Sequence, residues 1–551
     1  MKDVYRFLSN AYDRNHYEID KPFQTILKYF NYDDPTLSEL GKFAGKELYE
    51  VADYVDKKAN PKHVMWSIKG ERIDETWLDF SERWVIDRLI RYYKVNMPPY
   101  KEGNWHKHYA MIYLIADPGI ACIITVTNQT AYAIYKYGSE ELKKYIPNLL
   151  GDAEPIMFGA TWFTEIQGGS DLGANITEAY YNGNKWLIKG EKYFASNAGV
   201  ADMALVTARP KGAQAGAKGL ALFLVPEYSS AGKKNFKIRR LKEKSATISV
   251  PTGEVEFEDS EAYLLGEAKN GIYYTIEDLN VSRLANSAGA LGIARKAFLE
   301  AYYYAQYRKA FGKSLIEHPL IQRDLLEMEL LIEGAMALTF KAIDVFQKSR
   351  LSKPPYDANY HYARLLTHVA KTITAETAAF VSKMAMEILG GIGFLEEFPI
   401  ARLHREALIT PIWEGGSNIQ ALDMLEVIFK KNAHNQLILD MENLIEDMKD
   451  DETALSAYSL LKQVFADLNN LKEKDLLFNA KHILMKIGHS VAVIVLSHIG
   501  YKFNLERFTY LAKLYFDRYL QKNTFSYFSV ENARELFTIE ELGPKAIIKY
   551  A

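Results

Sequence analysis

The chain has 551 residues, about three times the usual 100–200 residues of a domain, which indicates more than one domain. Its 48% hydrophobic and 25% charged residues are ordinary for a globular protein and exclude a disordered or fibrous polymer. The formal net charge of −3 argues against a surface coated in positive potential for nucleic acid. Cys122 is the only cysteine, which excludes an intramolecular disulfide, a cysteine-rich zinc site and a CxxC redox motif.

The apolar stretches are too short to predict a membrane-spanning helix. None reaches the roughly 18 uninterrupted apolar residues that a spanning helix needs, and no secretory signal core follows the first methionine. We therefore expect a soluble, cytoplasmic protein with no membrane partner.

Residues 1–155 are predicted to form an N-terminal helical domain. Trp77, Phe80, Trp84 and Ile90 follow one another at roughly helical spacing. Ser139 stands before Glu-Glu-Leu and predicts the N-cap of a short helix.

Residues 156–268 are predicted to form a domain of small antiparallel sheets. The Asn182-Gly183-Asn184 turn between apolar residues is a hairpin signal. Short β-type runs follow at 203–207, 220–225, 236–238 and 252–257, and glycine and proline separate them.

From about residue 270 the sequence is helical again. An apolar stripe with steps of three and four predicts one helix along Leu284, Ala288, Leu291, Ala294, Phe298 and Tyr302. Helices are also predicted at 318–349, 358–389 and 417–431, so that 269–430 is a third domain. Residues 431–551 form an extra C-terminal helical domain with polar breaks near Asp450 and Asn469. This α–β–α order does not fit a doubly wound sheet or a TIM barrel, because both need regular β-α alternation.

Several familiar motifs fail when their spacing is checked. Gly312-Lys313-Ser314 ends like a phosphate-binding loop, but Tyr307 stands where the first glycine belongs. Gly391-Ile-Gly393 lacks the third glycine of a dinucleotide fingerprint. HExxH and GxSxG do not occur, and no metal site is predicted.

Four separated signatures occur in order along the chain. They are Phe158-Gly-Ala-Thr-Trp-Phe-Thr164-Glu-Ile-Gln-Gly168-Gly169-Ser170-Asp171-Leu, Gly190-Glu-Lys192-Tyr-Phe194-Ala-Ser196-Asn197, Tyr307-Arg308-Lys-Ala-Phe311-Gly312-Lys, and a stretch from Glu387-Ile-Leu-Gly390-Gly391 to Ile412-Trp413-Glu414-Gly415-Gly416-Ser417-Asn418. The Gly-Gly-Ser turn by itself would let the backbone approach a ligand and offer N–H groups to phosphate or flavin oxygens.

With the α–β–α layout, this set resembles the acyl-CoA dehydrogenase superfamily of flavoproteins, closely over about residues 100–430. The phrases TEIQGGSDL and IWEGGSNIQ and the extra C-terminal block look most like the AidB branch. The resemblance implies a mainly α fold with a β insert: an N-terminal α domain, a middle antiparallel β domain, a four-helix bundle and an additional α domain.

The resemblance implies FAD as the cofactor. The position of Thr164 would hold the pyrimidine edge, Ser170 the pyrophosphate, and Phe194 and Ser196 the flavin face and the region of N5. Arg308 would reach the pyrophosphate of a neighbouring subunit's FAD, since a guanidinium fork bridges two phosphate oxygens. The other cofactor positions that it implies are Thr161, Gly168, Gly169, Phe311, Gly390, Gly391, Trp413, Gly415, Ser417 and Asn418.

The sequence departs from the family pattern at several of these places. Phe194 and Ser196 replace a tryptophan and a threonine, Pro319 replaces a glutamine, and Gly416 and Asn418 replace a threonine and a glutamine. Flavin binding should survive because an aromatic ring and a hydroxyl are kept.

Glu414 is the implied catalytic base, which removes the α-proton of an acyl-CoA thioester while the β-hydrogen leaves as hydride. Arg283 matches an arginine that lines the substrate cleft. Plain structural alternatives stay open: a β-turn at Thr164–Ser170, a core-facing Phe194, a solvated helix arginine and a helix-ending glycine pair, a glutamate ahead of a helix, and an ion pair for Arg283.

Three functions follow in order of preference. The first is an FAD-dependent acyl-CoA dehydrogenase that works as a homo-oligomer, with a tetramer expected, and passes electrons to electron-transfer flavoprotein or another acceptor. The second is an AidB-like flavoprotein whose C-terminal domain associates with DNA, and the third is an acyl-CoA oxidase or nitroalkane-oxidase-like enzyme. DNA binding is disfavoured because residues 431–551 hold 15 basic and 16 acidic side chains, although 481–522 has a local excess of basic residues.

Overall fold

The computed structural model describes residues 8–32 and 34–521, together with the backbone of two short strands beyond them. Its contacts divide the chain into two compact units. Unit 1 comprises 1–328 and 375–415, and unit 2 comprises 329–374 and 416–551. The predicted bundle segment 269–430 is thus shared between the units, and the division into four domains stays a prediction.

The N-terminal part of unit 1 is helical, but it also contains a β-hairpin that the periodicity did not predict. Trp77 belongs to the second hairpin strand rather than to the predicted helical stripe, because Gly70 (φ +79°) reverses the chain and the flanking residues pair antiparallel. The helix after the hairpin begins at Phe80, since the Asp79 carboxylate accepts a hydrogen bond from the Ser81 amide at 2.9 Å. The elements are α1 (Lys21–Tyr29), α2 (Thr36–Gly45), α3 (Glu47–Lys58), β1 (Lys62–Trp66), β2 (Arg72–Trp77), α4 (Phe80–Asp87), α5 (Pro98–Lys101), α6 (Trp105–Leu114), α7 (Pro118–Tyr137), α8 (Glu140–Lys143) and α9 (Ile146–Leu149).

The predicted cap at Ser139 is confirmed. Its hydroxyl accepts a hydrogen bond from the amide of Leu142 and starts α8. Helix α7 is buried along nearly its whole length, which makes it the central helix of this region.

The middle of unit 1 is the predicted β domain, and its strand pairings close into a ring. The strands are β3 (Gly159–Trp162), β4 (Glu178–Tyr181), β5 (Trp186–Ser196), β6 (Met203–Pro210), β7 (Ala221–Pro226), β8 (Lys237–Leu241) and β9 (Thr252–Leu264). Strand β6 pairs with both β4 and β7, and β9 joins β5 to β7, so the pairing path returns to its start. Closure removes exposed edges. The hairpin at Asn182–Asn184 is confirmed as the β4–β5 turn, but β3 and β4 pair with β6 in parallel, so the sheet is mixed.

The helices after the β domain agree closely with the apolar periodicity. The predicted stripe lies on α10 (Gly271–Tyr307), and the short strands β10 (Lys309–Ala310) and β11 (Lys313–Ser314) follow it. The next helices are α11 (Pro319–Ser349), α12 (Ala358–Leu389), α13 (Pro399–Ile409) and α14 (Ser417–Lys431). Helices α11 and α12 each contribute residues to both units.

The C-terminal block is helical, with breaks at both predicted places. It comprises α15 (Ala433–Asp447), α16 (Glu452–Leu468), α17 (Glu473–Phe503) and α18 (Glu506–Tyr519). The strands β12 (Phe528–Glu531) and β13 (Ile547–Tyr550) follow and pair antiparallel. Within unit 2, Gly488 lets α17 approach Val369 and Ile373, because a Cβ there would stand 2.8 Å from their side chains.

Two described segments, Ala358–Phe394 and Glu473–Phe503, are long and apolar enough to cross a membrane by length and composition alone. The most apolar stretch of the second is 94% buried inside the fold, as in the core helix of a globular protein.

The Arg402 guanidinium joins three parts of unit 1. It lies on α13 and donates to both oxygens of Asp117 at 2.5 and 3.3 Å and to Asp53 on α3 at 3.3 Å. We expect Arg402→Met to lower the free energy of unfolding by about 3–5 kcal/mol, since it leaves the buried Asp117 with only the more distant Lys296 ammonium, at 3.9 Å. Lys383→Met, which breaks an exposed pair with Glu387, should cost less than about 1 kcal/mol. Urea unfolding of the full chain measures both, and equal losses would contradict the prediction.

Candidate functional site

Glu414 stands in a short loop after α13 with a strained backbone. Its φ is +58°, in the left-handed region that non-glycine residues seldom adopt, and Gly415 follows at φ +88°. The amides of Ile412 and Trp413 both donate to the Ile409 carbonyl, at 2.9 and 3.2 Å, and make the loop turn sharply. A glutamate held in this conformation is typical of a functional position.

Helix α10 holds the Glu414 loop through two side chains. Arg283, 4% exposed, donates from Nε to the Glu414 carbonyl at 3.0 Å. Asn286 accepts from the Trp413 indole N–H and donates to the Thr410 carbonyl. The structure therefore places the Arg283 guanidinium against the Glu414 main chain, where it fixes the loop, and its contact with a substrate stays a prediction.

A β-bulge turns Phe194 outward on strand β5. The register between β5 and β9 shifts between Lys192 and Ala195, and such shifts re-aim side chains. Lys192 is buried, whereas Phe194 is 52% exposed, so the core-facing interpretation of Phe194 is wrong. Ser196 follows at the end of β5, directly opposite Thr252 of β9.

The residues after β3 form the glycine-rich turn expected to hold FAD. Glu165 and Gly168 exchange backbone hydrogen bonds of 3.0 and 3.1 Å, which close a tight turn. Gly169 and Ser170 are exposed, and a Cβ at Gly169 would approach the Thr164 methyl carbon to 3.3 Å. Thr161 lies half-buried in β3 opposite Leu205. An exposed aromatic ring and an open backbone turn in the same domain suit a flavin nucleotide.

Cys122 and Asp278 lie near Glu414, Lys244 and Glu406 lie near Cys122, and the sequence motifs identified none of these four titratable side chains. Burial raises the pKa of Cys122 on α7 to about 12, and the Cys122 thiol lies near the charges of Lys244 and Glu414. Burial lowers the pKa of Lys244 to about 8 and raises that of Glu406 to about 7. Burial and then the charge of Glu414 hold the pKa of Asp278 well above its usual value. A lone cysteine or an isolated carboxylate has no spacing pattern, so no sequence signal pointed to them.

Described contacts link the surroundings of Ser196 to those of Glu414 through Lys244. The Lys244 ammonium donates to the Thr252 hydroxyl at 2.8 Å, and Thr252 lies directly opposite Ser196. The Cys122 thiol on α7 lies near the charges of both Lys244 and Glu414. Ser196 and Glu414 are more than 200 positions apart in the chain, and their contact with one cofactor stays a prediction.

The remaining predicted cofactor residues do not join this cluster through described contacts. Arg308 follows α10, and Phe311 in the β10–β11 turn is 97% exposed. Gly390 and Gly391 are exposed, and a Cβ on either would meet no atom within 4 Å. Ser417 and Asn418 start α14 in unit 2. The roles of all these residues stay predictions.

Three family models match consecutive parts of the chain. The Adaptive response protein AidB N-terminal domain matches residues 9–153, the acyl-CoA dehydrogenase middle domain 160–260, and the acyl-CoA dehydrogenase C-terminal domain 269–429.

Curated relatives agree with the family models. The chain is 36% identical to the putative acyl-CoA dehydrogenase AidB of Escherichia coli over 49% of its own length and 48% of that protein, so this match spans about half of the relative. It is 33% identical to the short-chain specific acyl-CoA dehydrogenase of Clostridium acetobutylicum over 64% of its length and 92% of that protein. The structure of an acyl-CoA dehydrogenase complexed with FAD from Bacillus anthracis has the same fold, with a TM-score of 0.70, 18% identity, and coverage of 91% of this chain and 85% of that one.

Arg283 should determine how firmly the Glu414 loop is closed. Hydrogen bonds to charged groups contribute about 1.5–3 kcal/mol, so we expect Arg283→Met to speed amide hydrogen exchange in residues 412–415 by about tenfold or more. Arg240→Met, which removes an arginine from an exposed pair with Glu254, should leave this exchange unchanged. Unchanged protection in Arg283→Met would show that the loop is held by other contacts.

Proposed function

Since the chain belongs to the acyl-CoA dehydrogenase family and to its AidB-like branch, we propose that it desaturates the α,β-bond of an acyl-CoA thioester. The family is a family of oxidoreductases, and the protein binds FAD as its other members do. The observation that carries the proposal is the strained Glu414 backbone at φ +58°, which the Arg283 guanidinium holds at 3.0 Å. The exposed Phe194 ring and the open turn after β3 lie in the same unit and suit a flavin.

In the proposed reaction, Glu414 removes the α-proton of the thioester. The β-hydrogen would leave as hydride, and the chemistry that a bound FAD would supply is the acceptance of that hydride. The backbone of Glu414 is fixed by the Arg283 guanidinium at 3.0 Å, so its carboxylate needs little reorganisation to reach the proton. As the proton leaves, negative charge develops on the thioester oxygen, and a hydrogen-bond donor is needed beside that oxygen. We propose the Glu414 amide as that donor, as the family resemblance implies.

The proposal includes the partners that this reaction needs. An acyl-CoA is the substrate, and electron-transfer flavoprotein or a similar carrier takes up the electrons. We further propose a homo-oligomer, with a tetramer as the expected state, because Arg308, Phe311 and Gly390 are exposed on the single chain. A second copy that covered these residues would complete the cofactor site.

DNA association is the weaker candidate, because the described basic residues of 481–522 do not form one continuous face. Lys486 is 9% exposed, and Arg507 forms two hydrogen bonds with the Glu333 carboxylate. Lys481 and Lys502 lie 21 positions apart on α17, which separates them by about 32 Å at 1.5 Å per residue. Binding to DNA depends on concentrated positive charge that releases counterions.

Replacing the proposed base tests the reaction. We expect Glu414→Gln to keep its bound FAD but to slow the acyl-CoA-dependent bleaching of the flavin at least about 100-fold, because the amide cannot accept the α-proton. Stopped-flow absorbance measures this with a panel of acyl-CoA esters. The control is Glu446→Gln, which changes an exposed carboxylate on α15. Bleaching at the normal rate in Glu414→Gln would refute the assignment of the base.

A second variant tests the shared cofactor site. We expect Arg308→Met to weaken FAD binding at least about tenfold, since it removes the charge-assisted hydrogen bonds proposed for the pyrophosphate. Titration of the apoprotein with FAD, followed by flavin fluorescence, gives the dissociation constant. Arg518→Met, in which an exposed arginine of α18 is changed, should bind FAD normally. Normal binding by Arg308→Met would mean that Arg308 is a solvated arginine only.

A further inference from the structure

A fully buried ion pair lies directly behind the glycine-rich turn. The Lys192 ammonium on β5 stands 2.8 Å from the Glu165 carboxylate, and their side chains are 0% and 1% exposed. Glu165 is the first residue after Thr164, and Lys192 precedes Phe194 by two positions. The pair therefore connects both segments to which the flavin contacts are assigned.

The Glu165 carboxylate fixes one side of the turn. Its oxygens accept hydrogen bonds from the amides of Ile176 at 2.7 Å and Thr177 at 3.2 Å, and from the Gln167 side chain at 2.7 Å. These bonds tie the first residue of the turn to the segment just before β4. The positions of Gly168, Gly169 and Ser170 between the two tied points are thereby restricted.

The Lys192 ammonium fixes the other side. Besides Glu165, it donates to the Phe163 carbonyl at 3.2 Å and to the Thr207 hydroxyl on β6 at 3.4 Å. The next residue, Tyr193, donates from its amide to the Thr164 carbonyl at 2.9 Å. Strand β5 is thus attached to the turn just before the bulge that exposes Phe194.

We propose that Lys192 and Glu165 are positioning residues that shape the FAD site in advance, by holding the turn 164–170 and the exposed ring of Phe194 in one fixed arrangement. The inference rests on the FAD site assigned above. Neither side chain is exposed, so both act through the residues that they hold and not by contact with the cofactor. Preorganisation of this kind lowers the entropic cost of binding a ligand.

A second buried ion pair in unit 1 serves as a control, because its loss should affect stability without affecting the FAD site. Lys136 on α7 forms an equally buried pair with Glu277 on α10, with side chains 3% and 1% exposed. The Glu277 carboxylate also accepts from Tyr132 and Tyr137, so this pair has a polar network of its own. Its described contacts are with α7 and α10 and include no residue of the turn 164–170.

The experiment compares FAD affinity and thermal stability in apoprotein variants. We expect Lys192→Met to raise the dissociation constant for FAD at least about tenfold and Glu165→Gln to do the same. The double variant should raise it by less than the product of the two single effects, because the two residues act through one interaction. Lys136→Met should lower the melting temperature comparably and leave the dissociation constant within twofold of the wild type. The effects of Lys192→Met and Glu277→Gln on the dissociation constant for FAD should multiply in the combined variant, because these two residues belong to different pairs.

The outcomes separate this inference from the assignment of the site. Equal loss of melting temperature in Lys192→Met and Lys136→Met with unchanged FAD binding in both would overturn the inference. If Arg308→Met weakens FAD binding and Lys192→Met does not, the site is right and the inference is wrong. If neither variant affects FAD binding, the assignment of the site fails as well. If Lys192→Met does not fold, the double variant Lys192→Met/Glu165→Gln still tests the inference, because it leaves no unpaired buried charge. Wild-type FAD affinity in the double variant would overturn the inference.

Discussion

Several buried charges in the described part of the chain are paired across elements that are distant in sequence, and the placement of these elements depends on the pairs. Arg402 joins α13 to Asp117 before α7, and Lys136 joins α7 to Glu277 of α10. Removing a charge from water costs several kcal/mol, which its partner must offset through good geometry. Each pair therefore favours one mutual placement of two elements. In unit 1 the elements placed this way are those that carry the candidate site.

In unit 2, charged side chains also pair between helices that are distant in sequence. Arg507 on α18 pairs with Glu333 on α11, and the Asp440 carboxylate on α15 accepts from Lys341 and from Tyr362. The long apolar helix α17 packs against α14, α15, α16 and α18 and is buried along most of its length. These described pairs lie within unit 2, so they stabilise the packing of α15 and α18 against α11 and α12. Its nearly balanced charge agrees with a structural role better than with a cationic binding surface.

The fold was predictable from the sequence where one local signal determines one element. The spacing along α10, the Ser139 cap and the turn at Asn182–Asn184 are such cases, because periodicity, capping and turn chemistry act within a few residues. The β1–β2 hairpin was missed because Trp77, Phe80 and Trp84 imitate helical spacing, while the hairpin depends on the reversal at Gly70. The ring closure of the β domain could not be predicted, because it depends on which distant strands pair.

The candidate site shows the same division between local and distant information. Glu414 was found because its neighbours form a motif, whereas Cys122 and Asp278 were missed because only the folded chain brings them near Glu414. The backbone of Glu414 adds an independent argument for its importance. A non-glycine residue at φ +58° carries strain of order 1–3 kcal/mol, and a glycine at this position would avoid it. This strain occurs at a residue whose main chain is held by Arg283 and whose charge lies near Cys122. Such strain is expected where chemistry rather than stability determines the residue.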